Sequence, residues 1–541
     1  MKRPILSAFA VGLALAPLLA GAQAQNPTSS AADTPRPAPT PPAPDARPVV
    51  NLSLQEAVRL AMANSVDIAI DKFNPLVSDE DVSELKGFYQ PTLTASVLQD
   101  SRQIPARSFF QQQPFEDRDT LFYNLGLEHP LTSGGNLRLS FRNDRTTTNN
   151  VFDLYSPGYG SALDLSLSQP LLRDLKTDAR RYQIRVAKKN REISDVQFHQ
   201  TVVNTVAQVK DLYYDLLYAI DSLEAQRESL DLAVKLVVDN RNKVRVGTMA
   251  QIDVVSAESE QAAREELVIR GEAEIGNAED ALRRVIYADN GAATWASRIV
   301  PTDRPTADPL ALNTAAAITK ALANRTDIAA VRKRLENSEY AIDYTHNQRL
   351  PALDLVGSYG TSGVGGTFLV RDNSQGIGGP VVDEVSGNYG DAVSDVFKNE
   401  FPTWTVGLNF SVPLFNRQAN AANARARLSR DQSLVALRRL EMQITAEVRA
   451  AARAVEANYK RVETTQATRL LETRRLDIEN KKFDAGRSTN FLITQSQRDL
   501  SDANLNQLKA IADYRKSLVA WERVQEAGFE LAGGSGTVSI R

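Results

Sequence analysis

The chain of 541 residues contains no cysteine. That absence removes disulfides, thiolate zinc sites and cysteine nucleophiles together. Histidine is almost as scarce, with 3 residues. His129, His199 and His346 are scattered, and none is followed three or four residues later by a second metal-binding side chain. No serine stands in a nucleophile-elbow setting. These gaps argue against an enzyme, and no cofactor or metal is expected. An excess of one charge is missing too: 63 Lys and Arg face 66 Asp and Glu, a net charge of −3. Nucleic-acid binding wants a basic patch that this balance does not offer. After the N-terminus there is no apolar run of the ~20 residues that a spanning helix needs. A membrane-embedded form of this chain would have to cross by strands.

The N-terminus reads as an export address. Lys2 and Arg3 precede the apolar stretch Ile5 to Ala20, and Ala22-Gln23-Ala24 fits a cleavage site. The stretch is short for a spanning helix and Pro17 interrupts it. Residues 1–24 are expected to be a signal peptide. Residues 25–50, with "TPRPAPTPPAPDARP", form an expected Pro-rich disordered leader.

Beyond the leader the chain repeats itself. "AMANSVDIA" from Ala61 and "ALANRTDIA" from Ala321 share six of nine positions, at an offset of 260 (321 − 61). At the same offset Leu52 answers Leu312, Ala57 answers Ala317, Pro91 answers Pro351 and Leu93 answers Leu353. An internal echo of this kind fixes the architecture before local detail does. It predicts two repeats, residues 51–309 and 310–530, with a flexible tail over 531–541.

Each repeat begins with short helices and then changes period. "WTVGLNFSVP" alternates Trp404, Val406, Leu408, Phe410 and Val412 with Thr405, Gly407, Asn409 and Ser411. "LDLSLSQP" alternates Leu163, Leu165 and Leu167 with Asp164, Ser166 and Ser168. A period of two means strands with one apolar and one polar face. Strands are expected at about 92–98, 121–143, 161–170, 352–360 and 403–413. The segment 121–143 is a pair around Thr132-Ser133-Gly134-Gly135. The Gly-rich run "GSYGTSGVGGTFLVRDNSQGIGGP" lacks the Gly-Lys-Ser/Thr ending of a phosphate loop and is expected to be a mobile loop.

Long helices come next, at about 175–245 with 251–288, and about 417–485 with 490–526. A seam runs Val202, Val206, Val209, Tyr213, Leu216, Ile220 and Leu223, then Arg227, Leu230, Val234, Val237, Arg241 and Val244. Its steps of four and three are those of a coiled coil. A helix of that span is ~100 Å long. Gly247 and Gly486 end the rods, since glycine supplies the left-handed turn that closes a helix. The fold class is α+β: long antiparallel coiled-coil hairpins continuous with strands. Four to six strands cannot close a membrane barrel, which needs about eight. Several chains together could.

These features resemble the TolC-like outer-membrane efflux channels, the outer membrane factors. The likeness covers about residues 51–530 and rests on the doubled halves, the Pro-x-Leu strand starts, "YYDLLYAIDSLEAQ" and "VGTMAQIDVV". It implies a homotrimer in which each chain gives four strands to a twelve-stranded transmembrane β-barrel. The helices form an α-barrel tunnel in the periplasm. It further implies passive export of drugs, toxic compounds or proteins across the outer membrane. The partners would be a periplasmic adaptor and an inner-membrane transporter of the RND or ABC type, with outer-membrane lipid around the barrel. A type I protein-secretion channel and a non-pore coiled-coil scaffold are the alternatives.

Four groups of residues carry these expectations. Val246, Gly247, Thr248, Gly486 and Arg487 lie at the helix turns, as caps and as the surface where an adaptor would dock. Asp253, Asp484 and Arg487 either constrict the periplasmic entrance or are solvated helix-end charges. Asp164, Arg138 and Arg142 face the barrel lumen by alternation. Trp404 and Tyr359 are interfacial aromatics or ordinary packing. Where the resembled family often carries aspartates after the second turn, this chain has Leu492 and Gln495.

Overall fold

A computed structural model of the chain describes residues 47–105, 114–289, 291–304, 306–372, 374 and 379–526. The expected signal peptide, nearly all of the leader and the C-terminal tail lie outside the described residues. The first half contains β1 (Val49–Leu52), α1 (Leu54–Asn64), α2 (Val66–Asp71), α3 (Phe73–Gly87), β2 (Thr92–Pro105), β3 (Phe115–Pro130), β4 (Asn136–Thr148), β5 (Tyr155–Pro170), α4 (Ala179–Arg245) and α5 (Gln251–Ile286). It closes with α6 (Ala292–Ala296) and β6 (Arg298–Pro301), and the second half contains α7 (Thr314–Asn324), α8 (Thr326–Asn347), β7 (Ala352–Arg371), β8 (Val381–Val385), α9 (Tyr389–Lys398), β9 (Phe401–Ser411), α10 (Arg417–Asp484) and α11 (Asn490–Gln525).

The rods are two helical hairpins, α4 with α5 and α10 with α11, and α11 also packs along α4. Ion pairs cross that second contact, Lys516 to Asp215 at 2.8 Å and Lys210 to Glu522 at 2.8 Å. Because α4 packs against α11 as well as α5, its buried stripe is wider than a single seam. Val206, Val209, Tyr213, Leu216 and Leu223 are buried as the seam requires. Beyond Leu223 only Val237 of the expected line is buried. Gln226, Ala233, Leu236 and Asn240 are buried, while Arg227 and Arg241 point out to Glu272 and Glu258 of α5.

The repeated segments pack each hairpin in the same manner. Ala57 and Ala61 of α1 join Val206, Val209 and Tyr213 in one core cluster. Ala317 and Ala321 of α7 join Val448, Ala452 and Tyr514 in another. Alanine at these positions lets a short helix lie close against a long one. β1 pairs in parallel with β6 beside the first cluster, so the chain is already ordered at Val49, before the expected end of the leader. A buried pair, Arg283 with Glu279 at 2.8 Å, ties the end of α5 to this corner, where Glu279 also accepts from the Ile299 N–H.

The other sheet has seven strands, ordered β2-β3-β4-β5-β7 with β8 and β9 both on β7. Its pairings are antiparallel throughout. All six long strands start or end beside the rods, so the chain carries six where the resemblance implies four. The Gly-rich run is a further correction: "GSYGTSGVGGTFLVR" belongs to the 20-residue strand β7. Its glycines serve packing. A Cβ on Gly363 or Gly365 would collide with the backbone of α9, which lies against β7 and β5.

Candidate functional site

The sheet separates its residues by face with great regularity. Leu93, Leu127, Leu139, Leu165, Tyr359 and Trp404 are directly paired neighbours, one from each long strand, and form one apolar row. One residue along, on the opposite face, Thr92, Glu128, Arg138, Ser166, Ser358 and Thr405 form a polar row. The apolar residues have no cover. Trp404 is 73% exposed, Val406 69% and Leu93 73%. An open apolar face of this extent marks a surface that meets a membrane or another protein.

Arg138, Arg142 and Asp164, expected in a barrel lumen, lie on this polar face of the sheet. Arg142 donates to Asp164 and Arg138 donates to Glu128 at 3.0 Å, so these four charges of β3, β4 and β5 are paired across strands. Glu128 also accepts from Asn136 at 2.7 Å, a partner that alternation alone did not reveal. On the apolar face, Tyr359 donates to Asn399 at 2.8 Å while Trp404 stands free of ring partners among the described residues.

Toward the end of the sheet away from the rods, polar residues enter the apolar face. Asn143, Ser161 and Thr361 are buried there under α9. Ser161 donates to Asn143, as does Tyr389 of α9, and Thr361 donates to the Val396 carbonyl. Asn388 and Asp391 form a capping box that starts α9. The helix thereby shields a polar patch that the strands could not leave against hydrocarbon.

At the far end of the rods both turns have one geometry. Gly247 has φ +76° and Gly486 φ +71°. The Thr248 N–H donates to the Lys243 carbonyl and the Gly247 N–H to that of Val244. Arg487 and Gly486 repeat this with Lys482 and Phe483. Each turn is a Schellman cap. Val246, Gly247, Thr248, Gly486 and Arg487 are all exposed.

Of the expected constriction, Asp484 and Arg487 are exposed and Asp253 is half-buried on the first turn of α5. What joins the two tips is other residues. Asn240 of α4 donates to Asn490 of α11 at 2.8 Å, and both amides also donate to the Asp253 carbonyl. Glu260 of α5 is buried between Arg264 at 2.9 Å and Arg498 of α11. Burial alone would raise the Glu260 carboxyl, but the Arg498 hydrogen bonds and the Arg264 charge outweigh it and hold the group below its ordinary range. The Lys243 ammonium lies 3.5 Å from the Phe483 ring centroid, in the cluster of Leu236, Val237, Ala257 and Ile493. A polar residue on the buried face of α4, at Asn240, was the one signal in the sequence that could have pointed to this junction.

Among the described residues no helix is long and apolar enough to cross a membrane, and no group of His, Cys, Asp or Glu is arranged for a metal ion. Known proteins share this arrangement of sheet and rods. The solved outer-membrane channel CmeC of Campylobacter jejuni superposes with a TM-score of 0.62 at 16% identity, over 89% of this chain and 87% of that one. The open-state MtrE outer-membrane channel of Neisseria gonorrhoeae gives 0.60 at 16% identity, over 89% and 91%. By sequence, the outer membrane protein TolC of Vibrio cholerae serotype O1 is 23% identical over 345 residues, 62% of this chain and 70% of that protein. The family model for outer membrane efflux proteins matches residues 136–286 and 317–524, which take in both helical hairpins and most of the sheet. With fold and sequence in agreement over most of its length, the chain belongs to the outer membrane efflux protein family, the TolC-like channels.

Proposed function

We propose that three copies of this chain close their sheets into one barrel through the outer membrane and their rods into a periplasmic tunnel. The assembly is a passive export channel for small molecules, drugs and toxic compounds among them. The observation that carries this reading is the division of the sheet into an apolar and a polar face across every long strand. Lipid contacts the leucine row, and the paired charges Arg138, Arg142 and Asp164 line the lumen with Glu128. A soluble scaffold built from the same rods would leave that row in water.

The energy for export comes from an inner-membrane transporter of the RND or ABC type, joined through a periplasmic adaptor. The adaptor docks on the helix tips at Val246, Gly247, Thr248, Gly486 and Arg487, where exposed backbone and small residues allow another hairpin to approach closely. Asp253, Asp484 and Arg487 stand near the tunnel entrance, each repeated three times in the trimer, which concentrates their field.

The test is recovery and conductance of the full-length protein. It should partition with the detergent-solubilised outer membrane and give discrete channels in a planar bilayer. Recovery in the soluble periplasmic fraction, or a silent bilayer at protein densities that give channels with a known porin, would refute the proposal.

A further inference from the structure

We infer that the β3–β4 hairpin is part of the barrel wall, so that each chain contributes six strands and the trimer closes with eighteen. The inference rests on the trimeric channel proposed above and concerns how wide that channel is.

Four features of the hairpin carry it. First, it sits in the middle of the ladder. β3 pairs with β2 from Phe115 to Glu128, and β4 pairs with β5 from Asn136 to Thr146. Removing the hairpin from the wall would break both ladders and leave β2 apart from β5. Second, the apolar row passes through it without a step. Leu127 and Leu139 stand between Leu93 and Leu165 at the same level. A hairpin projecting into water beyond the membrane has no reason to keep that level, or to expose Leu125 by 51% on the lipid side. Third, the polar row is equally continuous, and its ion pairs Arg138–Glu128 and Arg142–Asp164 lie on the lumen side.

Fourth, the inner turn of the hairpin is fastened to the start of the rods. Gly134 has φ +89°, and a Cβ there would come within 2.7 Å of the Asp174 carbonyl oxygen and 2.9 Å of Arg181. Ser133 and Gln169 exchange hydrogen bonds, and the Arg181 guanidinium caps the Ser133 and Asp174 carbonyls. The hairpin thus starts at the same height as the strands that enter and leave the helices.

Girth agrees with this count. Four helices per chain, α3, α4, α8 and α10, lie beneath the sheet and pack side by side. At about 8–10 Å between axes they span about 32–40 Å. Strands 4.8 Å apart and tilted by about 40° take up about 6.3 Å each, so six span about 38 Å and four only about 25 Å. Six strands therefore meet the helices beneath without a taper.

Closure then falls to the two edges. Among the described residues, β2 has no neighbour beyond β3 and β9 none beyond β7. β2 runs away from the rods and β9 returns to them, so β2 of one copy meets β9 of the next as an antiparallel pair. Eighteen strands is within the range of barrels that hold an aqueous channel.

Because the chain has no cysteine, single cysteines report without background. Leu139→Cys and Ser140→Cys probe the two faces of β4, and Val406→Cys and Thr405→Cys probe those of β9. The full-length variants are labelled in proteoliposomes with a charged, water-soluble maleimide. We expect Leu139→Cys to react at least about tenfold more slowly than Ser140→Cys, with the same contrast between Val406→Cys and Thr405→Cys. Equal labelling at 139 and 140 with Val406→Cys still shielded would place the hairpin outside the wall and overturn the inference alone. Equal labelling at 405 and 406 as well would overturn the channel itself. Electron cryomicroscopy of the trimer provides an independent count, and twelve strands in place of eighteen would overturn the inference whatever the labelling shows.

Discussion

The side-chain amide of Asn240 donates to that of Asn490 at 2.8 Å, and this one bond links the tips of two hairpins that lie 250 residues apart in sequence. Both residues are buried, at 0% and 4% exposure. The bond is flanked by the Asp253 carbonyl, which accepts from both amides. The pairing holds α4 of the first half against α11 of the second where the tunnel would be entered.

Replacing Asn240 with alanine should loosen that junction. It strips a donor from buried acceptors and leaves the Asn490 oxygen without its partner, a cost of about 1–3 kcal/mol. Hydrogen exchange at the amides of residues 236–260 and 483–497 should quicken, while the amides of the sheet stay as protected as before. Unchanged exchange at the tips would show that the apolar cluster around Phe483 holds them alone.

Acid should release the tips as well. The Glu260 carboxyl is held below its ordinary value of 4.5 despite its burial, because Arg498 and Arg264 face it. A depressed carboxyl adds stability above its unfolded value and loses it as pH falls through the folded value. At neutral pH the link is therefore intact, and it fails only below about pH 4.5. The other charge near this pair is Asp502, which acts on Arg498. Glu260→Gln should loosen the tips at pH 7 by about 3–5 kcal/mol, since Arg264 is left buried beside a neutral group. It should also flatten the acid limb of tip exchange against pH. A wild-type limb that persists in Glu260→Gln would assign the acid response to another group.

The sequence announced some of this and hid the rest, for identifiable reasons. Gly247 and Gly486 were legible because helices commonly end on a residue at positive φ, which glycine adopts without strain. The faces of β5 and β9 were legible because a period of two survives in "LDLSLSQP" and "WTVGLNFSVP". The first part of β3 was not, since Glu116, Asp117, Arg118 and Asp119 do not alternate in polarity. β7 looked like a loop because five glycines stand where side chains would reveal a strand, and two of them, Gly363 and Gly365, make room for α9. Glu260 reads as one solvated carboxylate among many on the rods. Only the docking of α11 against α5 turns it into a buried partner of Arg498.

The lumen assignment can be read in ion selectivity. Arg142 and Asp164 are paired, so they contribute little net field to the pore. Arg142→Glu converts each pair into two like charges, a change of six charges around a trimeric ring. The permeability ratio of cation to anion should rise about threefold or more, measured as a shift in reversal potential under a salt gradient. Arg145 lies on the other face of the same strand, where Leu121 pairs with it. Arg145→Glu is the control and should leave the ratio unchanged. Equal shifts from both variants would mean that the two faces are not separated by a membrane.

Docking at the tips makes a separate prediction for Gly247. Its φ of +76° costs any other residue about 1–2 kcal/mol, whatever its size. A Cβ placed there meets nothing within 4 Å, so bulk adds no clash inside the chain. Gly247→Ala and Gly247→Trp therefore carry the same backbone strain and differ only in what they present to a partner. Both should assemble as trimers and insert in the outer membrane. Export of a fluorescent substrate from cells should persist in the alanine variant and fall about tenfold or more in the tryptophan variant, with loss of the adaptor cross-link. Equal export by the two would remove Gly247 from the docking surface. Equal loss in both would trace the defect to the strained turn, and the adaptor would have to be sought elsewhere on the rods.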